Sequence, residues 1–89
     1  MPTVLRKSGY RFHFYSHEGT EPPHIHVARG DAEAKFWLNP VSLADNDGFS
    51  AHEVQKVFVL VNDHCQYFQK RYIETHGPRA RHRRETGGR

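Results

Sequence analysis

Two histidines, His24 and His26, stand two residues apart directly after a pair of prolines. The residues around them favour a β-strand, and side chains two apart on a strand point to the same face. Ile25 and Val27 then point to the other face and would be buried. The pattern therefore predicts two neighbouring imidazoles on a solvent-facing sheet surface, where chemistry or binding could occur.

One chemistry for this surface is the binding or cleavage of nucleic acid. Metal-free RNA cleavage needs a base for the 2′-hydroxyl, an acid for the leaving oxygen and a cation for the phosphate. His24, His26 and Lys35 would supply these groups, because imidazole titrates near neutral pH. A wider set on the same face would hold the nucleic acid, with cations for phosphates and rings for bases. That set is Arg11, Tyr15, Lys35 and Trp37.

Two other interpretations of the same residues stay open. His-x-His on a strand is a common way to present two imidazoles to Zn²⁺ or Ni²⁺, here at His24 and His26, and His13 or Glu33 could be a third ligand. The sequence shows no evident fourth ligand. The face could also be a solvated sheet surface with no further role, since antiparallel sheets often expose one side to water. A large aromatic such as Trp37 argues mildly against this last interpretation.

A two-residue turn at 30–31 sets the register of the strands predicted at 24–29 and 32–38. A two-residue loop with glycine first suits a type II′ hairpin. The turn places His26 opposite Lys35, and residues directly opposite each other share a face. The predicted inner-face residues are Ile25, Val27, Ala34, Phe36 and Leu38. The predicted outer-face residues are His24, His26, Glu33, Lys35 and Trp37.

A further strand is predicted over residues 10–16, where aromatic and polar residues alternate. Tyr10, Phe12 and Phe14 lie on one face of it. A short strand at 4–6 and a turn precede it, and a loop at 17–23 follows. The prolines and glycines indicate a second loop over 39–49, with room for a short helical turn at 41–44.

The strongest helix signal begins at Ser50, which forms a capping box with Glu53. Apolar residues then recur at three- and four-residue steps, and a Gly-Pro pair ends the pattern. A helix of about 25 residues would be about 37 Å long, which is longer than a small sheet needs. Phe68, Tyr72 and Ile73 would lie beyond the sheet, which predicts a homodimer or partner contact at the distal end of the helix.

These elements predict an α+β fold with a small antiparallel three-stranded sheet (β-β-β-α), covered on one face by one long C-terminal helix. Residues 1–76 form the single predicted domain, and residues 77–89 form an arginine-rich tail that is predicted to be disordered. The chain carries a net charge of +3, and the five arginines and one glutamate of the tail leave −1 for the domain. A single cysteine, Cys65, fits a reducing cytoplasm, and no apolar run is long enough to span a bilayer.

Two stretches are especially specific: Pro-Pro-His-x-His at 22–26 and Ala-Lys-Phe-Trp-Leu at 34–38. Over about residues 1–75 the chain resembles the domain-of-unknown-function family 4160. The likeness lies in these two stretches and in residues 1–6, 9–12, 14–16, 27, 30, 33 and 48–49. The chain departs from the family pattern at His13, where an aromatic residue is common, and in its arginine-rich tail.

The resemblance implies a bacterial protein whose relatives look like one half of two-gene modules of toxin–antitoxin type. It implies a nucleic-acid-directed activity and a cognate small protein partner. We therefore expect a cytoplasmic protein that acts on or binds nucleic acid, such as RNA, through the outer sheet face. It would use no cofactor, and any catalysis would be that of a metal-independent ribonuclease. The alternatives are a non-enzymatic interaction module that pairs with a partner protein, and a His-x-His metal-binding domain.

Overall fold

A computed structural model describes residues 3–15 and 21–76 of the chain. Five strands and two helices follow in the order β1 Thr3–Lys7, β2 Tyr10–His13, β3 His24–Arg29, β4 Ala32–Leu38, β5 Val41–Asp47, α1 Ala51–Asp63 and α2 Cys65–His76. The strands form one antiparallel sheet in which each strand pairs with its neighbours in the chain. The tail predicted over 77–89 and most of the loop predicted over 17–23 lie outside the described residues.

The hairpin of β3 and β4 has the predicted register. Its pairs run without a shift from His24 opposite Trp37 to Arg29 opposite Ala32. Gly30 has a φ of 59°, whereas the following aspartate has no positive φ. A type II′ turn requires a positive φ at its first central residue only, and glycine adopts this conformation without steric cost. The register is confirmed, and the backbone of the turn agrees with the predicted type.

The predicted three-stranded sheet is wrong, because the sheet has five strands. β1 pairs with β2 and forms one edge. Residues 41–47, where a loop with room for a helical turn is predicted, form β5 at the other edge and pair with β4. The register of that pair shifts between Lys35 and Phe36. An edge strand with such an irregularity and few apolar residues lacks the regular pattern by which a strand is recognised.

The single long helix is also wrong, because two shorter helices meet at His64. The start is as predicted: the hydroxyl of Ser50 accepts a hydrogen bond from the backbone N–H of Glu53 at 3.1 Å. At His64 the backbone leaves the helical conformation, with a φ of −112° and a ψ of 16°. Its ring Nδ1 lies 2.9 Å from the carbonyl oxygen of Leu60, and its own backbone N–H is directed at the same oxygen. The two residues before it, an asparagine and an aspartate, are poor helix formers as well.

The second helix packs on the sheet instead of projecting beyond it. Phe68 stacks on Phe12 with ring centroids 5.2 Å apart, and Tyr72 meets Phe14 edge-on at 5.5 Å. Phe68 and Tyr72 are both buried, so the prediction that they lie beyond the sheet is wrong. Of the three residues proposed for a distal contact only Ile73 is exposed. The predicted homodimer therefore loses the apolar stripe on which it was based.

The hydrophobic core lies between the sheet and the two helices. Its buried apolar residues are Val4, Tyr10, Phe12, Phe14, Ile25, Val27, Ala34, Phe36, Leu38, Phe49, Val57, Val61, Phe68 and Tyr72. This set includes every residue that the sequence pattern assigned to the inner face of the sheet. Neither helix within the described residues is long and apolar enough to cross a membrane.

Candidate functional site

The outer sheet face carries a row of polar side chains from three adjacent strands. Strand pairing places His13 opposite His26, and His26 opposite Lys35, across β2, β3 and β4. Ile25 and Phe36 alternate with these residues and are buried in the core. The predicted burial of the apolar residues along the two strands is therefore confirmed.

His26 is buried inside a cluster of rings, so the prediction that it is exposed is wrong. It exposes only 7% of its surface. Its ring centroid lies 4.4 Å from that of Tyr15, 5.2 Å from that of His24 and 5.6 Å from that of His13. Packing of this kind lets imidazoles cover one another as other aromatic rings do. A pattern that counts histidine only as a polar residue misses this.

Glu33 connects the members of this ring cluster. The hydroxyl of Tyr15 donates a hydrogen bond to Glu33 Oε2 at 2.7 Å. Nδ1 of His26 lies 3.4 Å and Nε2 of His13 lies 3.6 Å from the same oxygen, within ion-pair range when either ring is protonated. One carboxylate therefore joins a phenol and two imidazoles, all groups that can exchange protons.

His13 lies in surroundings that disfavour its charged form. The side chain is 1% exposed, and neither ring nitrogen has a hydrogen-bond partner among residues 3–15 and 21–76. Burial lowers the pKa of His13, the charge of Arg11 lowers it further, and the carboxylate of Glu33 acts in the opposite direction. Because the ordinary histidine pKa is about 6.5, a lowered pKa favours the uncharged ring near neutral pH. The sequence indicates His13 as a departure from the family pattern and as a candidate third metal ligand.

His24 is completely buried at the start of β3, so its predicted exposure is also wrong. Its Nδ1 donates a hydrogen bond to the backbone carbonyl of Pro22 at 2.9 Å. The ring packs against Trp37 at 5.8 Å between centroids and against Tyr72 of α2 at 5.6 Å. A ring with no exposed surface offers no atom with which to touch a substrate. The predicted catalytic role of His24 has no support in this geometry.

Lys35 and Trp37 interact with each other and with an acidic residue that the sequence reasoning did not select. Nζ of Lys35 lies 2.5 Å from Glu21 Oε1 and 4.6 Å from the centroid of the Trp37 ring. The predicted phosphate-binding cation is thus neutralised, and it covers the predicted base-stacking ring. Phosphate binding would have to break this ion pair first. No spacing rule links Glu21 to a lysine that is 14 residues away.

A cavity of about 290 Å³ opens beside His26 on the outer face. Its walls are formed by His26, Glu33, Ala34, Lys35, Asp45 and Asp47. The two aspartates belong to β5, and no pattern in the sequence indicates this position because residues 39–49 are predicted to be a loop. Three carboxylates against one lysine make the cavity negative, which disfavours a phosphate ligand.

The alternative of a metal site requires ligands beyond His24 and His26. No group of three or more His, Cys, Asp or Glu side chains in the described part of the chain is arranged to hold a metal ion. The rings of His24 and His26 are 5.2 Å apart and lie at 84° to each other. Zinc sites in proteins use at least three side-chain ligands. The Zn²⁺ or Ni²⁺ alternative therefore lacks a third ligand within residues 3–15 and 21–76.

Fold and contacts together define a small α+β protein with a five-stranded antiparallel meander and a buried histidine cluster on one face. The chain belongs to the domain-of-unknown-function family DUF4160, whose sequence profile matches residues 9–72. The predicted resemblance is confirmed. The matched region begins at the turn before β2, ends at Tyr72 of α2 and includes the whole histidine cluster. No curated protein and no solved structure is significantly similar to the chain.

Proposed function

We propose that this chain is a non-enzymatic protein-interaction module of toxin–antitoxin type that pairs with a cognate small protein. The observation that carries the proposal is a set of large apolar side chains left exposed on the helices and on the adjoining edge strand. They are Leu43, Phe58, Val59, Tyr67 and Ile73, each between 36% and 54% exposed. Scattered exposed apolar residues are normal, but five large ones on so small a domain support the presence of a contact surface.

The size of the domain supports the same proposal. A chain of 89 residues buries only about 60–65% of its unfolded surface and is marginally stable alone. A partner that binds the folded form alone would stabilise it by mass action. Resemblance to two-gene modules supplies the candidate partner, which is the small protein encoded beside this one.

The side chains of the outer sheet face support catalysis less well than this pairing. His24 is buried, and Lys35 is neutralised by Glu21. The accessible cavity on that face is lined by Glu33 and two aspartates, which repel a phosphate. A phosphate substrate of His24 and His26 would therefore be unable to reach the buried ring of His24 and would be repelled by the carboxylates around His26.

Co-expression with the product of the neighbouring gene tests the proposal. We expect a complex of defined stoichiometry in size-exclusion chromatography with light scattering. Hydrogen exchange of the complex should show new protection in α1 and α2, because four of the five exposed apolar side chains lie there. Phe58→Ser and Ile73→Ser should each weaken the complex, because an apolar contact removed from an interface core costs about 1–2 kcal/mol.

Asp47→Asn is the matched control for these variants. Asp47 is exposed and lies on the outer face of β5, so its change should leave the complex intact. Failure to form any complex, or protection confined to the outer face with Asp47→Asn as the most damaging variant, would contradict the proposal.

Nucleic-acid chemistry is the second candidate, and one observation favours it. Glu33 and His26 line the same cavity 3.4 Å apart, as a base and an acid for RNA cleavage would. This pair replaces the histidine pair expected from the sequence. Arg11, Tyr15, Lys35 and Trp37 remain the proposed binding residues on that face.

An RNA cleavage assay in the presence of chelator tests this second candidate. Metal-independent cleavage should show a bell-shaped pH profile and should be lost in Glu33→Gln and His26→Asn. His52→Asn is the control, because His52 is exposed on the first turn of α1. No cleavage at any pH, or equal loss in the control, would remove RNA cleavage as a candidate.

A further inference from the structure

A groove runs between the β1–β2 turn and α1, and we call it the hairpin groove. It consists of two adjoining cavities of about 480 and 280 Å³ that share Ser8 and Tyr10 as walls. We infer that the hairpin groove binds an acidic segment of a partner protein and receives one large apolar side chain of that segment against Val59. The inference rests on the proposed function and names the chemistry of the partner.

The floor of the hairpin groove is ordered by local contacts. Ser8 and Gly9 both have positive φ, 56° and 86°, as the two central residues of a type I′ hairpin turn require. The Tyr10 hydroxyl donates a hydrogen bond to Glu53 Oε2 at 3.2 Å. The guanidinium of Arg29 lies 5.2 Å from the centre of the Tyr10 ring, and its Nη1 is 3.2 Å from the same oxygen of Glu53. The turn, the end of β3 and the first turns of α1 are thus joined.

The rim of the hairpin groove is cationic. Arg6, Lys7 and Arg11 line the smaller cavity, and Lys56 lines the larger. Glu53 neutralises Arg29, but no carboxylate of the described residues makes an ion pair with any of the other four cations. Arg6 lies opposite Arg11, on the face of the hairpin away from α1, and Lys7 lies opposite Tyr10. A run of aspartates and glutamates that follows the groove around the turn is complementary to all four charges.

The larger cavity adds an apolar wall between these charges. Val59 is 54% exposed, and Leu60 beside it is partly buried against the core. A volume of about 480 Å³ is enough for a large side chain, since small-ligand pockets start at about 300 Å³. A nucleic-acid strand would meet the cations but would leave Val59 in water, because nucleic acids stack on flat rings and the Tyr10 ring is buried. An acidic peptide with an apolar anchor uses both features.

A labelled synthetic peptide with a central phenylalanine between runs of aspartate and glutamate tests the inference. Anisotropy titrations with the full chain at low salt should show binding. Lys56→Glu and Arg6→Glu should each weaken it roughly five- to tenfold, because each change removes an attraction and adds a repulsion. Val59→Ser, or a peptide with alanine for phenylalanine, should weaken it about tenfold or more through the lost anchor.

Lys70→Glu is the matched control, since Lys70 is exposed on α2 and does not line the groove. It should leave peptide binding unchanged. Absence of binding, equal loss in the control, or equal binding of the alanine peptide would overturn the inference. A single-stranded RNA that binds more tightly and displaces the peptide would assign the groove to nucleic acid instead.

The two proposals fail separately in these experiments. A complex with the neighbouring gene product whose protection includes α1 and α2 but excludes residues 6–11 leaves the proposed function standing and refutes the groove. Peptide binding without any such complex supports the groove and refutes the cognate pairing.

Discussion

Replacing Phe68 by leucine tests whether α2 belongs to the core of this domain. Phe68 is completely buried, and its ring stacks on Phe12 at 5.2 Å with an angle of 27° between the ring planes. A change to alanine would cost about 3–5 kcal/mol. That is a large part of the roughly 5–10 kcal/mol that keeps a small domain folded. Leucine keeps the site apolar and leaves the variant measurable.

The expected cost of Phe68→Leu is about 2 kcal/mol. Losing the ring stack on Phe12 accounts for about 0.5–1.5 kcal/mol. The smaller side chain accounts for about 1 kcal/mol more, because less apolar surface is buried. A change of this size lowers the melting temperature of a domain of this length by roughly 8–16 °C.

Urea unfolding followed by circular dichroism measures the free energy of unfolding of both proteins. Ile73→Val is the control, because Ile73 lies on the same helix but is 38% exposed. It should change the free energy of unfolding by less than about 0.5 kcal/mol. A change below about 0.5 kcal/mol for Phe68→Leu, together with a lower molar mass in light scattering, would refute the reasoning and place Phe68 in an interface.

Two further predictions concern glycine and histidine. Gly48→Ala should lower the free energy of unfolding by more than about 2 kcal/mol, because φ is 107° and a Cβ would lie 3.1 Å from Ala32 Cα. Gly30 has a φ of 59° and no atom within 4 Å of a Cβ position, so Gly30→Ala should cost only about 1 kcal/mol in the same urea assay. Equal costs would contradict this. Because burial and Arg11 lower the pKa of His13, the unfolded chain binds that proton more readily. The contribution of His13 to the free energy of unfolding is therefore full above about pH 6.5 and is lost as the pH falls below that value. His13→Phe should make the free energy of unfolding less dependent on pH in this range. An unchanged pH dependence would mean that His13 does not set it.

The hairpin of β3 and β4 could be predicted because a local signal determines it. A two-residue loop beginning with Gly30 fixes the register, and the alternation of Ile25 and Val27 with the histidines fixes the faces. β5 could not be predicted in the same way. Its place is set by pairing with β4, and its own residues alternate weakly around the register shift.

The burial of the histidines could not be read from the sequence for a related reason. The environment of His26 is created by Tyr15 and Glu33, which come from other segments of the chain. The break at His64 had a faint local signal in the asparagine and aspartate before it, but the apolar repeat continues across it. Tertiary contacts decide the burial of the histidines, whereas the break at His64 follows from local contacts that the apolar repeat does not reveal.

The packing of α2 on the first hairpin has a consequence for synthesis of the chain on the ribosome. The strands form between neighbours in sequence, so each can pair soon after it emerges. Phe12 and Phe14 nevertheless pack against rings of α2, Phe68 and Tyr72, and Tyr67 donates a hydrogen bond to the carbonyl of Val4 at 2.9 Å. The nascent sheet must therefore keep two large rings uncovered until α2 has left the exit tunnel. Over that interval it is open to aggregation or to a chaperone.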